Sequence, residues 1–505
     1  MKRIIALIMA SVLLFGCLCG CGKSEEADDG STVTLVVAIP WATQRDTNKV
    51  EGVINEKLKE FLPNTQIKLM LDSAFAEKWT LWMATKKVID VAHSGWETNL
   101  EAEIRQDTYL PLNDLVEKHA PNIKEMQEKY FYCYDNAKMN GKLYAVPNVQ
   151  TYIGETTQIS MNAEKYGEKI TAVSFKSDKS TRELYEVIDE CLLDSEKNGE
   201  DMKSKVNTTM LYELAKRGYH FIGGSNSNIC YDNSDSGKIL DFYTTESFKL
   251  FCEYAKKWGD RGWVSKDILT KSTTLGVIAT VGSRYDEDPV THRYMVNATS
   301  TLGFQRINLD NPENDVLVDN FGQNSTYWSI PFTSKNPVRA IKFIDLLNSK
   351  EGAEISNLLA FGIEGEHYEV LDKEKENIKA FEYNQQGTTS TSYGIPSWMC
   401  GNMMLMYNVY PYDNTIKEYA ENYYNDRIPN MKKHVLYGVG FSDENVKLKM
   451  NAIVKNNTEY APSIYCGVAD DAQGAYNELT QKNKAAGIDE VIAEFQKQAD
   501  SYMKK

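Results

Sequence analysis

The chain is 505 residues long, 42% hydrophobic and 25% charged, with a formal net charge of −15 at pH 7. That length buries a sizeable core in two or three domains, and the negative charge argues against nucleic acid or an anionic surface as the main partner. Thirty Tyr and eight Trp beside seventeen Phe favour rings with a polar edge, which suit amphipathic ligands.

Lys2 and Arg3 precede an apolar run from Ile4 to Phe15, too short to cross a bilayer as a helix. Leu18-Cys19-Gly20-Cys21 then supplies the small-residue pattern of a lipoprotein export signal. Residues 1–20 are therefore expected to be removed and Cys21 to carry the lipid. Leu14-Phe15-Gly16-Cys17 is a poorer second candidate. The acidic stretch GKSEEADDGST, up to Thr32, lacks apolar periodicity and completes a flexible tether over 21–32. Nothing after Cys21 has the length and apolarity of a membrane span.

Thr34 to Ile39 predicts a first strand. Val50, Val53, Ile54, Leu58 and Phe61 recur at helical spacing until Pro63-Asn64 stops them. Ile67 to Leu71 predicts a second strand, and Phe75, Trp79, Trp82 and Met83 a helix whose tryptophans are core. Val88 to Ala92 predicts a third strand. Alternation of this kind within some sixty residues reads as a parallel, doubly wound sheet. Further on, Leu184, Val187, Ile188 and Cys191 share one helical face, as do Phe248, Phe251, Cys252 and Ala255. Gly259 and Gly262 end the second of these helices, and Trp258 and Trp263 read as packing. Gly276 to Val281 predicts an isolated strand. Asn336 and Pro337 open a helix with face Ile341, Ile344 and Leu347. A last helix from Asp489 presents Val491, Phe495, Ala499 and Tyr502. The order describes two lobes with more than one crossing between them, the layout of a hinged binding protein.

Six histidines show no HxxxH or HxH spacing, and there is no GxSxG elbow or P-loop. Cys133, Cys191, Cys230, Cys252, Cys400 and Cys466 are scattered, with no CxxC pair. They are either disulfides or buried thiols. No metal, no cofactor and no catalysis are expected, although counting carboxylates leaves a glycosidase dyad open.

Four segments carry a family resemblance: Asn140–Asn148 (NGKLYAVPN), Ser334–Leu347 (SKNPVRAIKFIDLL), Phe361–Tyr368 (FGIEGEHY) and Lys484–Gln498 (KAAGIDEVIAEFQKQ), with Trp398 and Gly401-Asn402 as a further marker. In this order they resemble the family 1 extracellular solute-binding proteins of ABC importers, most of all the LplA-type lipoproteins with a C-terminal extension. The resemblance implies an α/β, two-lobed periplasmic-binding-protein (type II) fold, each lobe a mixed sheet flanked by helices, with a helical C-terminal extension. It also implies an oligosaccharide ligand, delivery to an ABC permease in the membrane, a monomer and no catalysis. A peptide or other polar metabolite as ligand, a surface glycoside hydrolase and an adhesive lipoprotein are the alternatives. Lobe 1 is expected over 33–148 and about 277–330, and lobe 2 over 149–276 and 331–505, with hinges near Pro147 and Ser329. No family pattern covers about Ser283 to Asn314.

Ligands of open parallel sheets bind at strand carboxyl ends. Trp41 follows the first strand, and Trp96 and Glu97 follow the third, so rings could stack on sugar faces while the carboxylate takes hydroxyls. Asn148 and Tyr152 follow the first crossing, and Tyr285 follows the strand ending at Val281. Trp398 lies in a turn-rich loop. The resemblance places Trp328 near the second crossing, facing the cleft.

Overall fold

The computed structural model describes residues 31–95, 97–98, 100–139, 141–151, 156–223, 226–271, 276–282, 305–314, 316–318, 326–380, 392–410 and 412–504. The export signal, Cys21, Trp96, Tyr152 and Tyr285 lie outside the described residues.

β1 (Val33–Ile39) buries Leu35, Val37, Ala38 and Ile39, the two-sided burial of a central parallel strand. α1 (Thr47–Phe61) returns over it with Val50, Ile54 and Leu58 fully buried. Asn64, with φ of 60°, makes the turn that the Pro63-Asn64 pair announced. β2 (Thr65–Leu71) then runs parallel to β1, Leu35 opposite Ile67 and Val37 opposite Leu69. α2 (Phe75–Ala84) buries Phe75, Trp79, Trp82 and Met83, with the rings of Phe75 and Trp79 stacked 5.1 Å apart.

β3 (Val91–Gly95) pairs with the other side of β1. It starts three residues later than Val88, because Asp90 turns inward as a bond acceptor. The Asp90 carboxylate takes the Val36 N–H (3.1 Å), the Ser334 hydroxyl (2.9 Å) and the N–H groups of Lys335 (3.0 Å) and Asn336 (3.3 Å). α3 (Leu100–Arg105) and β4 (Ala145–Pro147) complete this part of the chain.

After Pro147 the chain enters a second body. β5 (Thr156–Met161) leads into α4 (Ala163–Ser174), α5 (Arg182–Lys197) and α6 (Glu246–Asp260), and then into β6 (Ala279–Gly282) and β7 (Gln305–Asn308). β5 is the centre of an antiparallel sheet, with β6 and β7 on either side. The predicted faces of α5 and α6 meet there: Leu184, Ile188, Cys191, Phe248 and Phe251 share one buried cluster with Trp258 and Trp263. Buried Asp189 accepts from the Trp258 indole (3.0 Å) and pairs with Lys257 and Arg261. Cys133, Cys191, Cys230, Cys252, Cys400 and Cys466 are all free thiols, which decides between the two readings the spacing allowed.

β8 (Val316–Leu317) leads back, and β9 (Thr326–Ser329) inserts antiparallel between β3 and β4, giving the sheet order β2-β1-β3-β9-β4. α7 (Pro337–Leu346), with Leu347 just after it, and α8 (Ala353–Phe361) bury Ile341, Ile344, Leu347 and Leu359 in the first core. Asn336 makes no side-chain cap bond; Asp90 from β3's entrance accepts the N–H groups of Lys335 and Asn336 just ahead of α7 instead. One carboxylate thus joins sheet edge and helix start. Asp90→Ala is expected to cost about 2–4 kcal/mol of stability by stranding these donors, measured by chemical denaturation; a loss under about 1 kcal/mol would contradict the assignment.

The chain crosses a third time at β10 (Lys432–Lys433), which pairs parallel with β8. α9 (Lys447–Tyr465), α10 (Ala472–Ala486) and α11 (Ile488–Met503) follow, with Gly487 in the left-handed conformation (φ 91°) that lets α10 and α11 join without a linker. Val491, Phe495 and Ala499 of α11 close a third cluster with Ile222, Ile229 and Ile239.

The expected domain boundaries need correction. β6 and β7, within about 277–330, belong to the second core because their partner is β5, while α7 and α8, beyond 331, pack in the first core rather than the second. Ser329 is likewise no hinge: it is buried inside β9, its hydroxyl 2.7 Å from that of Ser94. The chain leaves the first body after Pro147, returns to it before Thr326 and leaves it again before β10, and the pairing of β8 with β10 ties the last two crossings together. Two-residue strands carry no periodicity, which is why the sequence pattern is silent about them.

Candidate functional site

β1, β3 and β4 all end at one edge of the first sheet, and antiparallel β9 begins there, with Thr326 opposite Gly95. Thr326 organises this edge. Its hydroxyl donates to the Trp398 carbonyl (2.9 Å) and accepts from the Gln150 amide (2.9 Å), while its own carbonyl accepts the Asn148 N–H (2.9 Å). A second clamp works from β1. The Trp41 indole N–H and the Gln44 amide both donate to the Gly394 carbonyl (2.9 and 2.6 Å), and Gln44 accepts the Gly394 N–H in return (2.6 Å). The 394–398 loop is thereby fixed against the strand ends.

Trp41 and Trp398 are both half-buried and brought to the same edge, with the polar side of the Trp41 indole already satisfied. Glu97, two residues past β3, is half-buried as well, and desolvation raises its carboxyl above the ordinary value. Asn148 is buried, and neither end of its side-chain amide has a hydrogen-bond partner. A group left so costs about 1–3 kcal/mol.

Trp328 does not join them. It is fully buried in β9, edge-on to the His93 ring at 6.0 Å, so the expectation that it faces a cleft is corrected. β9 is an inner strand of the sheet, and its ring fills the layer beneath the edge. Burial likewise pushes the His93 imidazole down to about 3, keeping it neutral. Thr326, Gln44, Gln150 and Gly394 were missed. Gly394 sits in a Gly-Ile-Pro turn that could have flagged it, whereas Thr326 gains its role only from the insertion of β9.

On the second body, Arg217 has a fully buried side chain and bonds Asp310 (2.7 Å) and the carbonyls of Ser174, Ser177 and Leu309. Asp310 also accepts the Thr157 N–H (2.6 Å), so one ion pair ties the roots of two crossings. Beside it a cavity of about 140 Å³ is lined by Asp178, His220, Asn233, Asp310 and Tyr423 and shares no residue with the aromatic edge. Among the described residues, no three His, Cys, Asp or Glu side chains converge to hold a metal, and no helix is long and apolar enough to cross a membrane.

Residues 435–504 match the family model described as domain of unknown function DUF3502. Over 448 residues the chain is 23% identical to a carbohydrate ABC transporter substrate-binding protein of Streptococcus pneumoniae, covering 85% of this chain and 82% of that protein. Among solved structures, the N-glycan transport solute binding protein NgtS of Streptococcus pneumoniae superposes with a TM-score of 0.72 at 18% identity, over 94% of this chain and 99% of that one. Its complex with Man5GlcNAc gives 0.63 at the same identity, covering 94% and 99%. An HMO binding, ABC-transporter-associated solute binding protein of Bifidobacterium longum infantis gives 0.59 at 14% identity, covering 95% and 100%. The chain therefore has the two-lobed, mixed α/β fold of the type II solute-binding proteins with a helical C-terminal region, and along most of its length its sequence is similar to a carbohydrate ABC transporter substrate-binding protein.

Proposed function

We propose that this chain captures an oligosaccharide outside the cell and hands it to an ABC permease without breaking a bond. The observation that carries this reading is the placement of two half-buried tryptophans, Trp41 and Trp398, at the carboxyl edge of the first sheet. Sugar rings expose flat C–H faces and a rim of hydroxyls, so they need aromatic faces and fixed polar groups together. Trp41, Trp96 and Trp398 supply the faces, with Tyr152 and Tyr285 as further rings. Glu97 and the unpaired Asn148 amide take hydroxyls. The similarity to a carbohydrate substrate-binding protein and to the N-glycan transport protein favours a sugar over a peptide. A screen of glycans by thermal shift, beginning with Man-GlcNAc oligosaccharides, tests it. Stabilisation by a glycan with no cleavage on prolonged incubation is the expected result; stabilisation by peptides alone, or sugar products, would overturn it.

In this reading the chain is an LplA-type lipoprotein, a monomer tethered through Cys21 to the outer face of the cell membrane. Cys21→Ala is expected to release the protein into the medium or to leave an unprocessed precursor, as read by fractionation and intact mass. A mature N-terminus at Cys17 would contradict the choice of cysteine.

A further inference from the structure

α3 turns a carboxyl group, Glu103, away from solvent and toward the loop that leaves β3. The Glu103 Oε2 accepts the Thr98 hydroxyl at 3.0 Å and the Tyr109 hydroxyl at 2.7 Å. Thr98 in turn closes the loop on β3 through its N–H to the Gly95 carbonyl (3.0 Å). Tyr109 is itself immobile: it is 2% exposed, its ring lies against Trp79 at 6.0 Å, and its backbone bridges Pro331. The three groups form a chain from the core to the residue next to Glu97.

We propose that Glu103 is a positioning residue for the sugar-binding edge, holding Thr98, and with it the neighbouring Glu97, to the buried Tyr109 hydroxyl. This rests on the reading of that edge as the sugar site. A carboxylate is the acceptor this geometry needs, since both hydroxyls donate to one oxygen and an ionised acceptor makes the stronger bonds. A protonated carboxyl accepts more weakly, so the bonds from both hydroxyls loosen.

The titratable groups facing Glu103 are few. Tyr109 is pushed far above its ordinary value by burial and stays neutral, while Thr98 and Trp79 do not titrate. Desolvation raises the Glu103 carboxyl to about 7. The bonds from Thr98 and Tyr109 to Glu103 are therefore stronger above neutrality than below it. Glu97, raised by desolvation, also titrates nearby, so its own contribution has to be separated.

The test compares the full mature chain with Glu103→Gln and Thr98→Val. In the free protein, the tryptophan fluorescence that disappears with Trp96→Phe is followed from about pH 5 to pH 9. The expected result is a step near neutrality in the parent that both variants lack. With Man5GlcNAc as probe, the parent gains affinity several-fold across the same step, while the variants bind more weakly and without it. Thr98→Val spares the buried carboxyl, so it serves if Glu103→Gln fails to fold. A step that persists in both variants belongs to Glu97 and overturns the inference. A parent that shows the fluorescence step but binds no glycan upholds the positioning role and removes the sugar reading instead.

Discussion

Replacing Arg217 with methionine is expected to lower stability by about 3–5 kcal/mol, the range for removing one partner of a buried ion pair. The guanidinium is fully buried, with one carboxylate and three carbonyls as acceptors. Methionine restores the volume but none of the donors. Asp310 then loses this cation and keeps its bonds from the start of β5. Because Asp310 stands at the root of the second crossing and Thr157 just past the first, the loss falls on the hinge as well as on the core of the second body. The melting temperature is expected to drop by roughly 3–5 °C. Asp310→Asn, which still accepts from Thr157, is expected to do less damage. A methionine variant within about 1 kcal/mol of the parent would show that the pair is dispensable.

Trp41→Ala and Trp398→Ala are each expected to weaken oligosaccharide binding by about 1.5–3 kcal/mol, or tenfold to a hundredfold and more, if a sugar face buries the ring. Trp41 has a second task, because its indole N–H holds the Gly394 carbonyl and so the loop that carries Trp398. Trp41→Phe separates the two, keeping a stacking face and losing that bond. Calorimetric titration gives the affinities, and the melting temperature of the free variants shows whether the loop survives. Two alanine variants that fold normally and bind as tightly as the parent would remove the aromatic pair from the site.

The first sixty structured residues were legible because each element repeats its own period. β1, α1, β2 and α2 fall within a few residues of where Thr34, Val50, Ile67 and Phe75 place them. β3 slipped by three residues because Asp90, read as the interior of a strand, serves as an acceptor at its entrance. The division between lobes was not legible. β9 is a strand of four residues borrowed across more than 170 positions, and no local pattern says that it pairs with β3 rather than with its neighbours in sequence. Trp328 was misplaced for the same reason, since its exposure depends on that pairing. Trp41 and Trp398 could each be picked out, one from its strand end and one from its loop. Their meeting through Gly394 and Thr326 depends on contacts between distant segments, which composition and spacing do not encode.

The central claim is that two lobes close on an oligosaccharide, and small-angle scattering of the mature protein tests it most directly. The radius of gyration is measured without ligand and at saturating Man5GlcNAc. A smaller radius with the sugar is expected, as the two lobes close about the segments that join them. Saturable binding with an unchanged radius would contradict closure between lobes.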